Sequence, residues 1–298
     1  MRVFVTGASG FVGSAIVQEL LSAGHQVLGM VRSDSAAENI TALGAEAHHG
    51  NLDDIESIKS GAAVCDAVIH TAFNHDFSKF KDNCETDRRV IEALGSVLAG
   101  TARPLVVTSG IGLLNGFNRP VTEDDVPTAG SAVIPRMASE EAAHAATDLG
   151  VDTYIMRLPP TVHGEGDHGF VPLVIGIARD KGVSAYIGEG HNRWSAVHRF
   201  DAAVLYRLII EQRPALKVYH AVAEEGIAFR EIATTIGEGL QLPTVSKSAD
   251  EAPAHFGWFT HFAGLDCLAS GAKSRAVTGW QPKQTGLIHD LKTGGYFG

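Results

Sequence analysis

Cysteine is scarce in this 298-residue chain. Cys65, Cys84 and Cys267 are too few and too scattered for a disulfide framework, and they are expected to be reduced and packed. Basic charge is also short. The 24 Lys and Arg against 34 Asp and Glu leave a formal net charge of −10, which disfavours nucleic-acid backbones as partners. No run approaches the roughly 18 consecutive apolar residues that a membrane span requires, so no membrane role is expected. Met1 leads straight into a strand-like stretch, without a basic region, an apolar signal core or a small-residue cleavage site, so a cytoplasmic protein is expected. Neither the G-x-S-x-G elbow of a hydrolase nor the Walker lysine of a nucleoside triphosphatase occurs. The 14 histidines form no i,i+2 or i,i+4 pair with further ligands nearby, and no metal is expected.

What the chain has is alternation. Up to about Leu158, short β-branched runs trade places with amphipathic segments, the pattern of parallel strands joined by helical crossovers. Strands are expected at Arg2 to Thr6, Gln26 to Val31, Ala67 to Thr71, Leu105 to Ser109 and Thr153 to Leu158, with a weaker one around Ala47 and His48. Val12, Ile16, Val17, Leu20 and Leu21 recur at helical spacing between the first two, and Gly24 supplies the stop. Further crossovers run through Asp54 to Ala62, Asp82 to Ala99 and Arg136 to Leu149, giving a doubly wound α/β sheet of six strands over residues 1–160. Residues 161–298 loosen into a glycine-rich loop, "TVHGEGDHG", helices at Val171 to Asp180, Ala202 to Gln212 and around Phe229 to Ile236, the strand "KVYHAV" and an aromatic tail. They are expected to build mainly the substrate wall of the crevice beyond the strands' carboxyl ends, with some elements returning to the core.

The first βαβ unit carries "VFVTGASGFVGSAI", with Gly7, Gly10 and Gly13 between strand and helix. Glycines there allow a tight turn, close approach of a pyrophosphate, and tight packing of helix on strand, with the helix N-terminus facing the negative charge. Gly7, Ser9, Gly10, Phe11, Val12 and Gly13 are the expected phosphate cradle. This T-G-x-x-G-x-x-G loop resembles that of the extended short-chain dehydrogenase/reductases. "GNLDD", "VIHTAF", "VVTSG", "RLPPTVHGEGD" and "WSAVHRFDAA" resemble further segments of the same family, across nearly the whole chain. "GFVP", "KVYHAVAEEG", "HFGW" and "GWQP" are similar to an atypical, epimerase/dehydratase-like subgroup, some of whose members are regarded as aldehyde or ketone reductases. The resemblance implies a Rossmann domain with a small C-terminal substrate lobe and a nicotinamide dinucleotide cofactor.

Beyond the second strand stand Arg32, Ser33 and Asp34, where the adenosine ribose is expected. If Arg32 pairs with a 2′-phosphate the cofactor is NADP(H); if Arg32 is merely solvated, Asp34 accepts from the ribose, or caps the next helix, and NAD(H) is possible. NADP(H) is the favoured reading. Asn51 and Leu52 are expected to flank the adenine, Thr71, Ala72 and Phe73 to line the crevice further in, and Pro159 and Pro160 to press on the nicotinamide.

The family's proton-donating tyrosine, followed four residues later by lysine, has no counterpart. Tyr154, Tyr186, Tyr206, Tyr219 and Tyr296 all lack a lysine at that spacing. In register, Arg136 holds the tyrosine position and Glu140 the lysine position. Arg136 either stabilises a developing oxyanion or forms an exposed i,i+4 ion pair with Glu140. Ser109, with Thr108 as its fallback, is expected to hold the substrate oxygen, and His163 to deliver a proton or else to be a loop histidine bonded to backbone. Asp201 is expected to cap the following helix. The aromatic residues Phe170, Trp194, Phe256, Trp258, Phe259 and Phe262 belong to the second lobe. With few basic groups nearby, they favour a small apolar aldehyde or ketone over a sugar diphosphate. The expected activity is NAD(P)H-dependent carbonyl reduction by a monomer or homodimer. The alternatives are a non-catalytic NADP(H) sensor and an NAD-dependent epimerase or lyase.

Overall fold

The structure, a computed structural model, describes residues 1–117 and 119–298. Six strands follow one another from the N-terminus: β1 (Arg2–Thr6), β2 (Gln26–Val31), β3 (Glu46–His49), β4 (Ala67–His70), β5 (Pro104–Gly110) and β6 (Asp152–Leu158). Then come β7 (Thr161–His163), β8 (Ser184–Ile187), β9 (Arg193–His198), β10 (Val218–His220), β11 (Glu224–Ala228) and β12 (Thr244–Lys247). The described residues form a seven-stranded sheet in the order β10-β6-β5-β4-β1-β2-β3, every pairing parallel.

Both faces of such a sheet must be covered, and β1 shows how alternation does it. Val3 and Val5 join a core with Ile16 and Leu20 of α1 (Phe11–Ser22), Ile40 of α2 (Asp34–Ala42), and Tyr206 and Ile209 of α7 (Arg199–Gln212). Phe4 points the other way, toward Ile58 of α3 (Ile55–Ala63), Val90 and Leu94 of α4 (Phe80–Leu98), and Ala142 of α5 (Met137–Asp148). Fully burying an aliphatic side chain of this kind stabilises by about 1.5–3 kcal/mol, so these two layers hold the sheet rigid.

The seventh strand was not among the six expected. β10 is the first half of "KVYHAV", and its Tyr219 is fully buried beside β6. With α7 packed along α1, this stretch completes the dinucleotide-type layer. A second lobe is what remains: the sheet β11-β9-β7, the pair β12-β8, α6 (Phe170–Lys181), α8 (Phe229–Leu240) and the C-terminal helix Leu287–Thr293. Its core gathers Trp194, Phe229, Phe256, Phe259, Ile232 and Leu287. Among the described residues no helix is long and apolar enough to cross a membrane.

Candidate active site

At the carboxyl end of β1, Gly7 has φ 70°, and a Cβ there would lie 2.9 Å from both the Ala72 nitrogen and Thr71 Oγ1. A Cβ on Gly13 would lie 2.0 Å from the Gly7 carbonyl oxygen, so the turn closes only with glycine at that position. The Gly10 amide donates to the Gly7 carbonyl at 2.8 Å. α1 then starts with no side-chain cap and no acidic residue in its first turn. Ser9 and Gly10 are exposed, and Phe11 and Val12 half-buried, around the positive end of the helix dipole. This cradle fits a pyrophosphate. Thr71 Oγ1 donates to the Thr6 carbonyl at 2.7 Å, fixing the end of β4, and with it Ala72 and Phe73, beside the loop.

Arg32 is exposed after β2. Ser33 rather than Asp34 caps α2, its hydroxyl accepting from the Ala36 amide at 3.3 Å. The cap expected of Asp34 is therefore corrected: its carboxylate is turned fully to solvent, 3.9 Å from His49. Asn51 Oδ1 accepts from the Asp53 and Asp54 amides at 2.8 and 3.1 Å, Leu52 is half-buried, and both lie next to β3. Pro159 is buried and Pro160 half-buried just past β6.

The chemistry-bearing residues form two buried chains. In the first, Thr6 Oγ1 meets His70 Nδ1 at 2.7 Å, His70 Nε2 meets Asp87 Oδ1 at 2.9 Å, and Asp87 Oδ2 accepts from Arg136 at 2.7 Å and from Ser139 at 2.5 Å. Arg136 also donates to Ser139 and, at 3.0 Å, to the Thr108 carbonyl, and its guanidinium carbon sits 4.2 Å from the Phe73 ring centre. Burial pushes the Asp87 carboxyl up, but Arg136 and His70 outweigh it and hold the group well below the ordinary carboxylate range. In the second chain Glu140 is 1% exposed and takes two bonds from Arg157 at 2.8 Å and one from Ser109 at 2.7 Å.

Several expectations change here. The exposed Arg136–Glu140 pair does not form, because Glu140 turns inward to Arg157 and Arg136 outward to Asp87. The helix expected over Arg136 to Leu149 begins at Met137, leaving Arg136 at its cap, free to reach across to α4. Ser109 spends its hydroxyl on Glu140, and Thr108 Oγ1 bonds the His70 carbonyl and the Tyr206 hydroxyl, each at 2.7 Å, so neither hydroxyl is free for a substrate. His163 is 1% exposed and bonds Asp290 at 2.8 Å, so it fastens the C-terminal helix Leu287–Thr293 to β7. Its ring thus bonds a carboxylate rather than the backbone. Asp201 accepts from the Lys283 and Gln284 amides, and His198 is the cap of α7. Of Ser109, Arg136 and His163, Arg136 is the most exposed, with 17% of its side chain accessible against 4% for Ser109 and 1% for His163. Sequence reasoning missed Asp87, although Cys84, Asp87, Val90, Ile91 and Leu94 share a helical stripe in which one carboxylate stands among apolar residues. It also missed Arg157, buried near the end of β6.

Across the crevice, Phe77, from the stretch after β4, stacks on Trp258 at 5.2 Å and reaches Phe262 at 5.7 Å and Phe170 at 6.1 Å. An aromatic seam thus joins the sheet side to the lobe.

A family model of the NAD dependent epimerase/dehydratase family matches residues 3–222. The chain belongs to this family. The family uses a nicotinamide dinucleotide cofactor, and the glycine cradle fits the pyrophosphate of such a molecule. An uncharacterized protein of Schizosaccharomyces pombe is 49% identical over 298 residues, 100% of both chains. The 4-hydroxy-2-methyl-3-oxo-4-farnesyl-3,4-dihydroquinoline-1-oxide ketoreductase of Stigmatella aurantiaca is 28% identical over 272 residues, 86% of this chain and 80% of that one. The solved structure of DesIV, a dTDP-glucose 4,6-dehydratase from Streptomyces venezuelae with NAD bound, matches with a TM-score of 0.78 at 20% identity, over 98% of this chain and 96% of that one. At that identity the likeness is one of fold. Beside its glycine cradle this chain carries the Arg136–Asp87 ion pair at 2.7 Å. Among the described residues no group of three His, Cys, Asp or Glu is placed to hold a metal.

Proposed function

We propose that this epimerase/dehydratase-family oxidoreductase reduces an aldehyde or ketone with an apolar substituent, using NADPH in preference to NADH. The observation that carries the reading is Arg136. Three of a guanidinium's five N–H donors are spent on Asp87, Ser139 and the Thr108 carbonyl, which leaves two beside Phe73 at the crevice. When bound, the nicotinamide supplies the hydride. Arg136 polarises the carbonyl oxygen and stabilises the alkoxide that forms, and water delivers the proton. Asp87 keeps the guanidinium from swinging away, and the aromatic seam of Phe77, Phe170, Trp258 and Phe262 takes the apolar substituent. The ketoreductase relative supports reduction as the reaction class. Arg32, exposed beyond β2 while Ser33 caps the helix, supports the 2′-phosphate.

The test is oxidation of NADPH and NADH against a panel of apolar aldehydes and ketones. Turnover is expected, faster with NADPH, and Arg136→Met should lower kcat by about 10²-fold while leaving cofactor affinity within a factor of about two. Absence of turnover across the panel with both cofactors, despite saturable cofactor binding, would replace this reading with that of a dinucleotide-responsive binding protein. The engagement of Ser109, Thr108 and Glu140 in internal bonds favours that second reading.

A further inference from the structure

Arg199 opens α7 next to the start of α1, on the same edge of the sheet. Its guanidinium lies 5.0 Å from the ring centre of Phe11, the first residue of α1, and 4.8 Å from that of Phe200, held between the two rings. Gly164 packs on its stem: a Cβ at Gly164 would lie 3.4 Å from Arg199 Cγ, and one at Gly166 would lie 4.0 Å from its Nη1. The Nε–H is buried and has no acceptor among the described residues. Among the described residues no carboxylate stands within ion-pair distance of it, whereas Arg136 and Arg157 each have one. Glu165 acts on it only from beyond that distance, and burial leaves the cation less favoured than in water. A cation stripped of water and without a counter-charge is costly unless something else supplies the charge.

We infer that Arg199 is a second arm of the phosphate cradle, reaching from α7 over Phe11 to the dinucleotide's pyrophosphate opposite the amides of α1. The inference rests on the dinucleotide reading and adds a binding residue outside the glycine loop. The two cation–π contacts pre-orient the side chain at the cradle's rim, and the dinucleotide brings the anion that the protein lacks there. Because every form of the cofactor carries the pyrophosphate, Arg199 acts on affinity without choosing between NADPH and NADH. That choice is left to the ribose end near Arg32.

Calorimetric titration of the full chain with NADPH, NADH and ADP-ribose tests this. Arg199→Gln should weaken all three by a similar factor, about tenfold or more, as expected for losing a charge-assisted hydrogen bond. Arg199→Lys, which keeps the charge and loses the fork, should fall between. Thermal midpoints should stay level or rise in the glutamine variant, since a half-buried cation with no carboxylate partner has gone; a purely structural arginine would lower them. Unchanged affinities, a loss confined to NADPH, or a rise only in the KM of the carbonyl substrate would each overturn the inference while leaving the dinucleotide reading intact. Should the wild-type chain bind none of the three ligands, both would fall together.

Discussion

Asp87 is the residue on which the candidate site turns. It is 1% exposed, carries a charge, and faces His70, Ser139 and Arg136. Removing one partner of such a pair leaves the other uncompensated, a loss of about 3–5 kcal/mol at neutral pH. Its folded carboxyl titrates below the unfolded value of about 3.9. The stabilisation is therefore complete well above that value and disappears as pH falls through the folded one. Asp87→Asn should be less stable than wild type at pH 7, and the gap between their urea midpoints should narrow steadily below about pH 4. Parallel stability curves down to acid pH would show that Asp87 contributes no such charge. None of this was legible from residue type alone. Arg136 stood out in the sequence because tyrosine was missing, but its partner lies 49 residues away on another helix. The polarity of Asp87 on an apolar stripe marked it as unusual without naming what it faced. Ser109 and His163 also stood out in the sequence, yet their partners, Glu140 and Asp290, lie 31 and 127 residues off in sequence.

The elements were far more readable, because their signals are local. β1, β2 and α1 fall where alternation, the helical stripe and the three glycines put them, and the glycine loop can be tested as a unit. A methyl group at position 13 would collide with the Gly7 carbonyl at 2.0 Å, forcing α1 away from β1. Gly13→Ala should cost about 1–3 kcal/mol of stability through overpacking and should abolish measurable dinucleotide binding. Wild-type affinity in that variant, followed by quenching of tryptophan fluorescence, would contradict the close-packed cradle. Where element prediction slipped, the cause was tertiary. Pro135 announces α5, yet the helix begins at Met137 with Arg136 drawn off to Asp87. β10 read as a strand of the lobe because three residues carry no information about which sheet they join.

At the scale of the whole molecule, one core ties the ends of the chain together. Val3, Val5 and Ile16 pack in the same cluster as Tyr206, Ile209, Tyr219 and Trp280, so the dinucleotide layer is completed by residues far beyond Leu158. Alternating strands and helices implied the doubly wound class, but the return of α7 and β10 depends on contacts that no short window contains. That return also sets Arg199 beside Phe11 and places the lobe's aromatic seam against Phe77, at the proposed crevice. The central claim is that hydride passes within this crevice from the dinucleotide to a carbonyl carbon. Incubation with NADPH carrying deuterium on one face of the nicotinamide C4, an apolar aldehyde and the wild-type chain measures it directly by mass spectrometry of the alcohol. One face should deliver its deuterium to the carbinol carbon and the other should not; alcohol formed without label from either face, or no alcohol at all, would contradict the account.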